Sequence, residues 1–215
     1  FINNLRKIYE AGEDKALLIS ATGTGKTYAS AFATRELEFK KVLFLVHRNQ
    51  IAKQALKSYR KIFDGKVSMG MVTGKYQDYN ADFVFATVQT LSKAETLNRY
   101  KKDHWDLIII DEAHCISIWG NDFRPSYQSI KNLINNLNPR PTIAAFTATA
   151  NKKVISDIEE ILDMKDTNIF KSGFDRPNLY YAVYSVKNKM DFIIKKLLSN
   201  KDKIILIYTL TKKEA

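Results

Sequence analysis

The chain has 215 residues, of which 45% are hydrophobic, 27% charged and 12% aromatic, a balance that excludes a disordered or collagen-like polymer. Thirty-four Lys and Arg against 23 Asp and Glu leave a net charge of +11, which favours a polyanionic partner, nucleic acid first and an acidic membrane second. A single cysteine, Cys115, excludes a disulfide framework and a cysteine-cluster metal site, and no apolar run approaches the roughly 20 residues that span a bilayer.

Ala16–Ser20 (ALLIS) predicts a short buried strand that stops at a Gly/Thr-rich turn, and Lys26–Phe39 a helix with apolar residues near one-turn spacing. Val42–Val46 (VLFLV) predicts the next strand and Gln50–Phe63 the next helix. Val67–Thr73 and Asp82–Ala86 are further strands, and Leu107–Ile110 (LIII) is a strand ending at Asp111-Glu112. Ser126–Leu137 reads as a helix, Thr142–Phe146 as a strand, and Asn151–Leu162 as a helix capped by Asn151. Apolar runs without polar alternation predict strands buried on both faces. Their alternation with helices predicts an α/β fold, a parallel sheet with helices on both faces. Polar residues gather at the strand C-terminal ends, the usual place for sites in open sheets.

Phe170–Asn178 has no helical period, and a boundary is expected across residues 163–180. Beyond it, Tyr180–Val186 and Lys203–Tyr208 read as strands and Lys187–Leu198 as a helix. These open a second α/β unit too short for a core of its own. The expected division is residues 1–172 and 173–215. Phe1–Arg6 lacks the basic–apolar–small layout of a signal peptide, so a cytoplasmic protein is expected.

Thr22-Gly23-Thr24-Gly25-Lys26-Thr27 follows a strand and opens a helix, the setting that a phosphate-binding loop requires. Gly23 and Gly25 permit close backbone approach, so several N–H groups can converge on one phosphate. The helix dipole and the Lys26 ammonium add positive potential for the β and γ phosphates, and Thr27 offers a hydroxyl to magnesium. Ser20 stands where the general pattern has glycine. At the end of the next central strand, Asp111 offers a hard oxygen ligand to Mg²⁺, directly or through water, while Glu112 is placed to orient and deprotonate an attacking water. Two acids, one lysine and a metal are a minimal set for phosphoryl transfer, so the residues read as a site that binds and hydrolyses a nucleoside triphosphate.

Asp111-Glu112-Ala113-His114, taken with that loop, resembles the superfamily 2 helicases and translocases of the DEAH type. The resemblance implies a RecA-like P-loop NTPase lobe, followed by the truncated start of a second RecA-like lobe. Residues 1 to about 113 resemble the restriction-type (type III restriction subunit-like) helicases, through Ile19–Thr27, Leu45–Gln50 and Phe85–Leu91. Residues from about 111 onward resemble the RecQ DNA helicases, through His114–Pro125, Ala148–Ala150, Phe174–Leu179 and Ile207-Tyr208.

What the resemblance implies is an ATP-dependent DNA helicase motor fragment with ATP and Mg²⁺ as cofactors. Thr147-Ala148-Thr149 would be the motif that couples hydrolysis to movement, with His114 alongside. Trp119, Phe123 and Arg124 would belong to the aromatic loop that senses single-stranded DNA, by base stacking and phosphate pairing. Ile118 and Asn121 depart from the Gln and His usual there. Arg48, Thr73, Gly74 and Thr87 match positions that grip the nucleic-acid backbone without reading sequence. The implied partner is single-stranded or forked DNA, with RNA still open, and the implied location cytoplasmic or nucleoid-associated. No arginine finger from a complete second lobe is present, so the isolated fragment is expected to hydrolyse ATP poorly. Two rivals remain at this stage: a restriction-type translocase of duplex DNA, and a non-catalytic nucleic-acid-binding module on a degenerate motor fold.

Overall fold

Each of the central strands buries both of its faces, which is why its sequence carries no polar alternation. In the computed structural model, which describes all residues but 1, 22, 119–122, 165, 173–179, 181 and 209–215, seven parallel strands form one sheet. They are β1 (Lys15–Ser20), β2 (Val42–Val46), β3 (Met69–Val72), β4 (Phe83–Thr87), β5 (Leu107–Ile110), β6 (Thr142–Thr147) and β7 (Asn168–Ser172). Their spatial order is β3-β4-β2-β5-β6-β1-β7. The intervening helices are α1 (Ile2–Glu10), α2 (Lys26–Glu36), α3 (Asn49–Phe63), α4 (Val88–Leu91), α5 (Ala94–Leu97), α6 (Ser129–Asn135) and α7 (Lys152–Ile161). The predicted α/β class, with helices on both faces, is what the chain adopts.

The period-two alternation of strand side chains divides the core into two layers. Leu17, Ile19, Leu43, Leu45, Ile108 and Ile110 point to one face, where residues of α4, α6 and α7 cover them. Leu18, Val42, Phe44, Val46, Leu107 and Ile109 point to the other, beneath Ala31 of α2 and Ala52, Ala55, Leu56, Tyr59 and Phe63 of α3. That second layer is aromatic: Tyr59 stacks on Phe63 at 6.0 Å and meets the edges or faces of Phe44, Phe83 and Phe85 at 5.7, 6.3 and 5.1 Å. The expected cap of α7 is present, with the Asn151 side chain accepting from the Val154 N–H at 2.9 Å.

Four elements of the first unit escape the sequence reading, namely β7, α1 and the single-turn helices α4 and α5. The strand β7 (NIFKS) mixes polar and apolar residues because, among the described residues, it lies at the sheet edge, paired to β1. The helix α1 carries Ile2, Leu5 and Ile8 at helical spacing, a signal legible in the sequence and passed over, and its Leu5 packs with Ala16 and Ala33.

The chain divides into a unit of residues Phe1–Asp175 and a second of Arg176–Ala215. In the second, α8 (Lys189–Leu198) is capped by Asn188, whose side chain accepts from the N–H groups of Met190 and Asp191. The strands expected over 180–186 and 203–208 are corrected here, since the described residues of both segments carry no strand. A strand needs a neighbour to complete its hydrogen bonds, and none occurs among the described residues of this short unit. Ile204, Leu206 and Tyr208 are correspondingly exposed.

Candidate active site

Parallel pairing brings the C-terminal ends of β5, β6 and β1 to one edge, side by side. Ile110 pairs with Ala145, and Ile19 with Thr147, so the residues that follow β5 and β1 flank the end of β6. The glycine loop, the acid pair and Thr147 therefore share one edge although they lie far apart in the chain.

The loop after β1 turns through two left-handed glycines, Gly23 at φ 78° and Gly25 at φ 81°. A Cβ at either would meet nothing within 4 Å, so the backbone angle, not crowding, calls for glycine. Gly25 caps α2 with no side-chain partner, leaving the first-turn N–H groups without a side-chain cap among the described residues. Lys26 Nζ folds back onto the carbonyl oxygens of Ser20 and Ala21, at 2.9 and 3.1 Å. Thr24 Oγ1 donates to the Ala21 carbonyl at 2.8 Å and lies 2.8 Å from Ser20 Oγ. Ser20 thus braces the loop with a hydroxyl at the position where the general pattern has glycine. The result is a cup of N–H groups and one ammonium, which fits a phosphate group.

Asp111 and Glu112 leave the end of β5 on the other side of β6. Burial raises the Asp111 carboxyl to about 6, and the Glu112 charge pushes it the same way. The Glu112 backbone N–H and the Lys26 ammonium pull it back. A carboxylate so placed gains from a cation beside it, which fits a divalent metal between Asp111 and the loop. Glu112 sits at φ 55°, ψ 44°, an unusual conformation for a residue with a side chain.

The Glu112 carboxylate faces His114, with Oε2 3.2 Å from Nδ1. The same Nδ1 lies 2.9 Å from Thr147 Oγ1, and that hydroxyl donates to the Thr149 carbonyl at 3.1 Å. Thr147 has spent its proton on Thr149, so toward His114 it accepts, and Nδ1 carries the hydrogen. Cys115 Sγ lies 3.9 Å from Nε2 and is itself fully buried, as a small residue beside the acid strand. One imidazole N–H therefore links the acid after β5 to the threonine at the end of β6.

The other site candidates fall in several places. Arg48 is exposed at the head of α3, Gly74 is exposed, and Thr149 is exposed beside the buried Thr147. Thr73 and Thr87 are buried at the ends of β3 and β4, where Thr87 Oγ1 donates to Thr90 Oγ1 at 2.9 Å. Phe123 is exposed and Arg124 half-buried, while Trp119 and Thr22 lie outside the described residues. Two residues were missed. The Tyr127 hydroxyl donates to the Asp111 carbonyl at 3.1 Å, and Tyr59 donates to Ser30 Oγ at 2.9 Å, which donates to the Thr27 carbonyl at 2.8 Å. Tyr59 is buried on the inner face of α3 and Tyr127 in the 3-10 turn Pro125–Gln128, so their aromatic rings give them a core role and hide the polar one.

A family model described as "Type III restriction enzyme, res subunit" matches residues 1–152. "ATP-dependent DNA helicase RecQ" of Bacillus subtilis (strain 168) is 38% identical over 146 residues, 68% of this chain and 24% of the relative. Those 146 residues exceed what lies beyond residue 152, so the two resemblances overlap along the chain. A putative ATP-dependent RNA helicase of Acanthamoeba polyphaga mimivirus is 43% identical over 109 residues, 50% of this chain and 20% of the relative. The chain thus spans a quarter or less of the length of these two relatives. The Pyrococcus furiosus Hef helicase domain shares the fold, with a TM-score of 0.64 at 21% identity, over 82% of this chain and 38% of that one. With the family model spanning most of its length, the chain belongs to the type III restriction enzyme res subunit family.

Proposed function

We propose that the chain is the nucleotide-binding part of an ATP-dependent DNA helicase motor. The observation that carries this reading is the convergence of the Lys26 loop, Asp111-Glu112 and the His114–Thr147 pair on one edge of the sheet. The α2 N-terminus and Lys26 hold the β and γ phosphates of ATP, and Thr27 and Asp111 hold Mg²⁺. The metal supplies charge to the phosphates. Glu112 takes the proton of the attacking water. The His114 N–H then reports the state of that carboxylate to Thr147 and the Thr149 carbonyl, and through them to nucleic acid held by Arg48, Gly74, Phe123, Arg124 and Trp119, while the buried side chains of Thr73 and Thr87 support the loops after β3 and β4 from within. Support for DNA as the track comes from the RecQ relative, and the RNA helicase relative makes RNA the competitor to test beside it. No described helix is long and apolar enough to cross a membrane. As a reading that follows from a nucleic-acid motor alone, we place the protein in the cytoplasm or on the nucleoid, where its track lies.

A thermal melt with and without Mg-ATP, run beside Lys26→Ala, tests the site. Ligand at 100 times its Kd stabilises by about 2.7 kcal/mol, a midpoint rise of roughly 5–10 °C for a chain of this size. The rise is expected in the wild type and absent in Lys26→Ala; an equal response from both would refute the assignment. Family membership favours one second reading, a translocase that moves on duplex DNA without separating it. Failure to displace a strand from a fork, with ATPase stimulated by blunt duplex, would favour that alternative.

A further inference from the structure

The outward face of α3 carries charge of one sign. Its exposed residues are Gln50, Lys53, Gln54, Lys57, Arg60 and Lys61, and no Asp or Glu occurs from Asn49 to Phe63. The inward face buries Ala52, Ala55, Leu56, Tyr59 and Phe63, so the cations have one direction available, outward. The other long helices of this unit mix their signs. Arg6 and Lys7 stand with Glu10 on α1, Arg35 with Glu36 on α2, and Lys152 and Lys153 with Asp157, Glu159 and Glu160 on α7.

Lys53, Lys57 and Lys61 repeat at every fourth residue, a row with a step of about 6 Å along the helix axis. A row of evenly spaced cations suits a nucleic-acid backbone, which carries regularly repeated charge of the opposite sign and releases counterions to such a row. Like charges at this spacing destabilise a helix, and none of the three lysines forms an ion pair among the described residues. The row also has a direction. Helix α3 leaves the C-terminal end of β2, with exposed Arg48 as its first cap, and returns toward the start of β3. It therefore begins at the edge that carries the phosphate loop and acid pair and leads away from it.

We propose that this ridge is a second nucleic-acid contact, which holds the phosphate backbone of the segment leaving the strand-end edge. The proposal rests on the reading of the chain as part of a nucleic-acid motor. Its recognition is electrostatic and indifferent to sequence, since the lysine row offers ammonium groups, and the one guanidinium on this face, that of Arg60, donates to the Met69 carbonyl at 3.3 Å.

The test measures binding of a fluorescein-labelled 30-nucleotide oligo-dT by anisotropy from 50 to 200 mM salt. Lys53→Gln/Lys57→Gln/Lys61→Gln is compared with a control of equal charge change, Lys7→Gln/Lys131→Gln/Lys152→Gln. Losing three phosphate contacts is expected to flatten the slope of log affinity against log salt by about 2, with roughly tenfold or greater weakening at low salt. The control is expected to keep most of the wild-type slope. Equal losses in the two variants, or an unchanged ridge variant, would overturn the proposal. A wild-type chain that binds no oligonucleotide overturns the motor reading as well, whereas a binding wild type with an indifferent ridge variant overturns the ridge alone. Retention of the Mg-ATP melting shift in both triple variants checks that neither has lost its fold.

Discussion

Glu112 holds an angle that its side chain disfavours, and the strain has a use. At φ 55° the chain turns sharply out of β5, and the Glu112 carboxylate comes to face the His114 N–H while staying partly open to solvent. Replacing the carboxylate with an amide of the same shape keeps the turn and removes the base. For Glu112→Gln we expect the Mg-ATP melting shift to survive while ATP turnover falls about 10²–10⁴-fold in any preparation where turnover is measurable. A variant that hydrolyses ATP at the wild-type rate would remove Glu112 from the chemistry. At this scale the sequence is most informative where function depends on local backbone. The glycines, Lys26 and the acid pair sit in contiguous stretches whose flanking strand and helix are themselves legible. Tyr127 and Tyr59 reach the site from helices distant in the chain, and their hydroxyl partners are a carbonyl and a serine that no spacing rule connects.

Among elements, the segment before β5 joins packing to protonation. Tyr100, His104 and Trp105 form one ring cluster, with centroids 4.4 to 5.0 Å apart, and His104 Nε2 is buried with no hydrogen-bond partner among the described residues. Burial holds the His104 imidazole below its ordinary value, Lys41 adds to this, and Asp103, Asp106 and Asp82 oppose it. The folded state thus resists a proton that the unfolded chain accepts near 6.5, so His104 costs stability as pH falls through that value. Between pH 7.5 and 5.5 the wild-type midpoint should fall relative to that of His104→Phe. Comparing the two cancels the contribution of Asp111, whose raised carboxyl acts in the opposite sense and favours the folded state as pH drops below about 6. Parallel pH profiles would show that His104 stays solvated. The element reading worked where burial on both faces wrote an unbroken apolar run, as in Val42–Val46 and Leu107–Ile110. It missed β7 because an edge strand needs only one apolar face, and it wrote strands into 180–186 and 203–208 because apolar content alone does not supply a partner strand.

Across the whole molecule, strand order decides which motifs meet, and strand order is not written in any one segment. The sequence places a phosphate loop after one strand and two acids after another, yet only the insertion of β6 between β1 and β5 puts Thr147 between them. The alternation of strands and helices predicts a parallel sheet and hence a shared C-terminal edge; the neighbours along that edge come from packing. The same accounting says where stability resides. Every residue of the three core clusters lies between Leu5 and Phe170, inside the first unit, whereas α8 buries none of its residues. Ending the chain at Asp175 therefore removes exposed apolar residues such as Ile204, Leu206 and Tyr208 and leaves those clusters whole. The shortened protein is expected to melt in one cooperative transition, within about 2–4 °C of the full chain, the shift that roughly 1 kcal/mol produces at this size. It should also keep its response to Mg-ATP, because each residue assigned to the nucleotide site precedes Asp175. A broad melt, or loss of the nucleotide response, would mean that the second unit stabilises the first, and that the division of the chain into two units misplaces where its cooperativity lies.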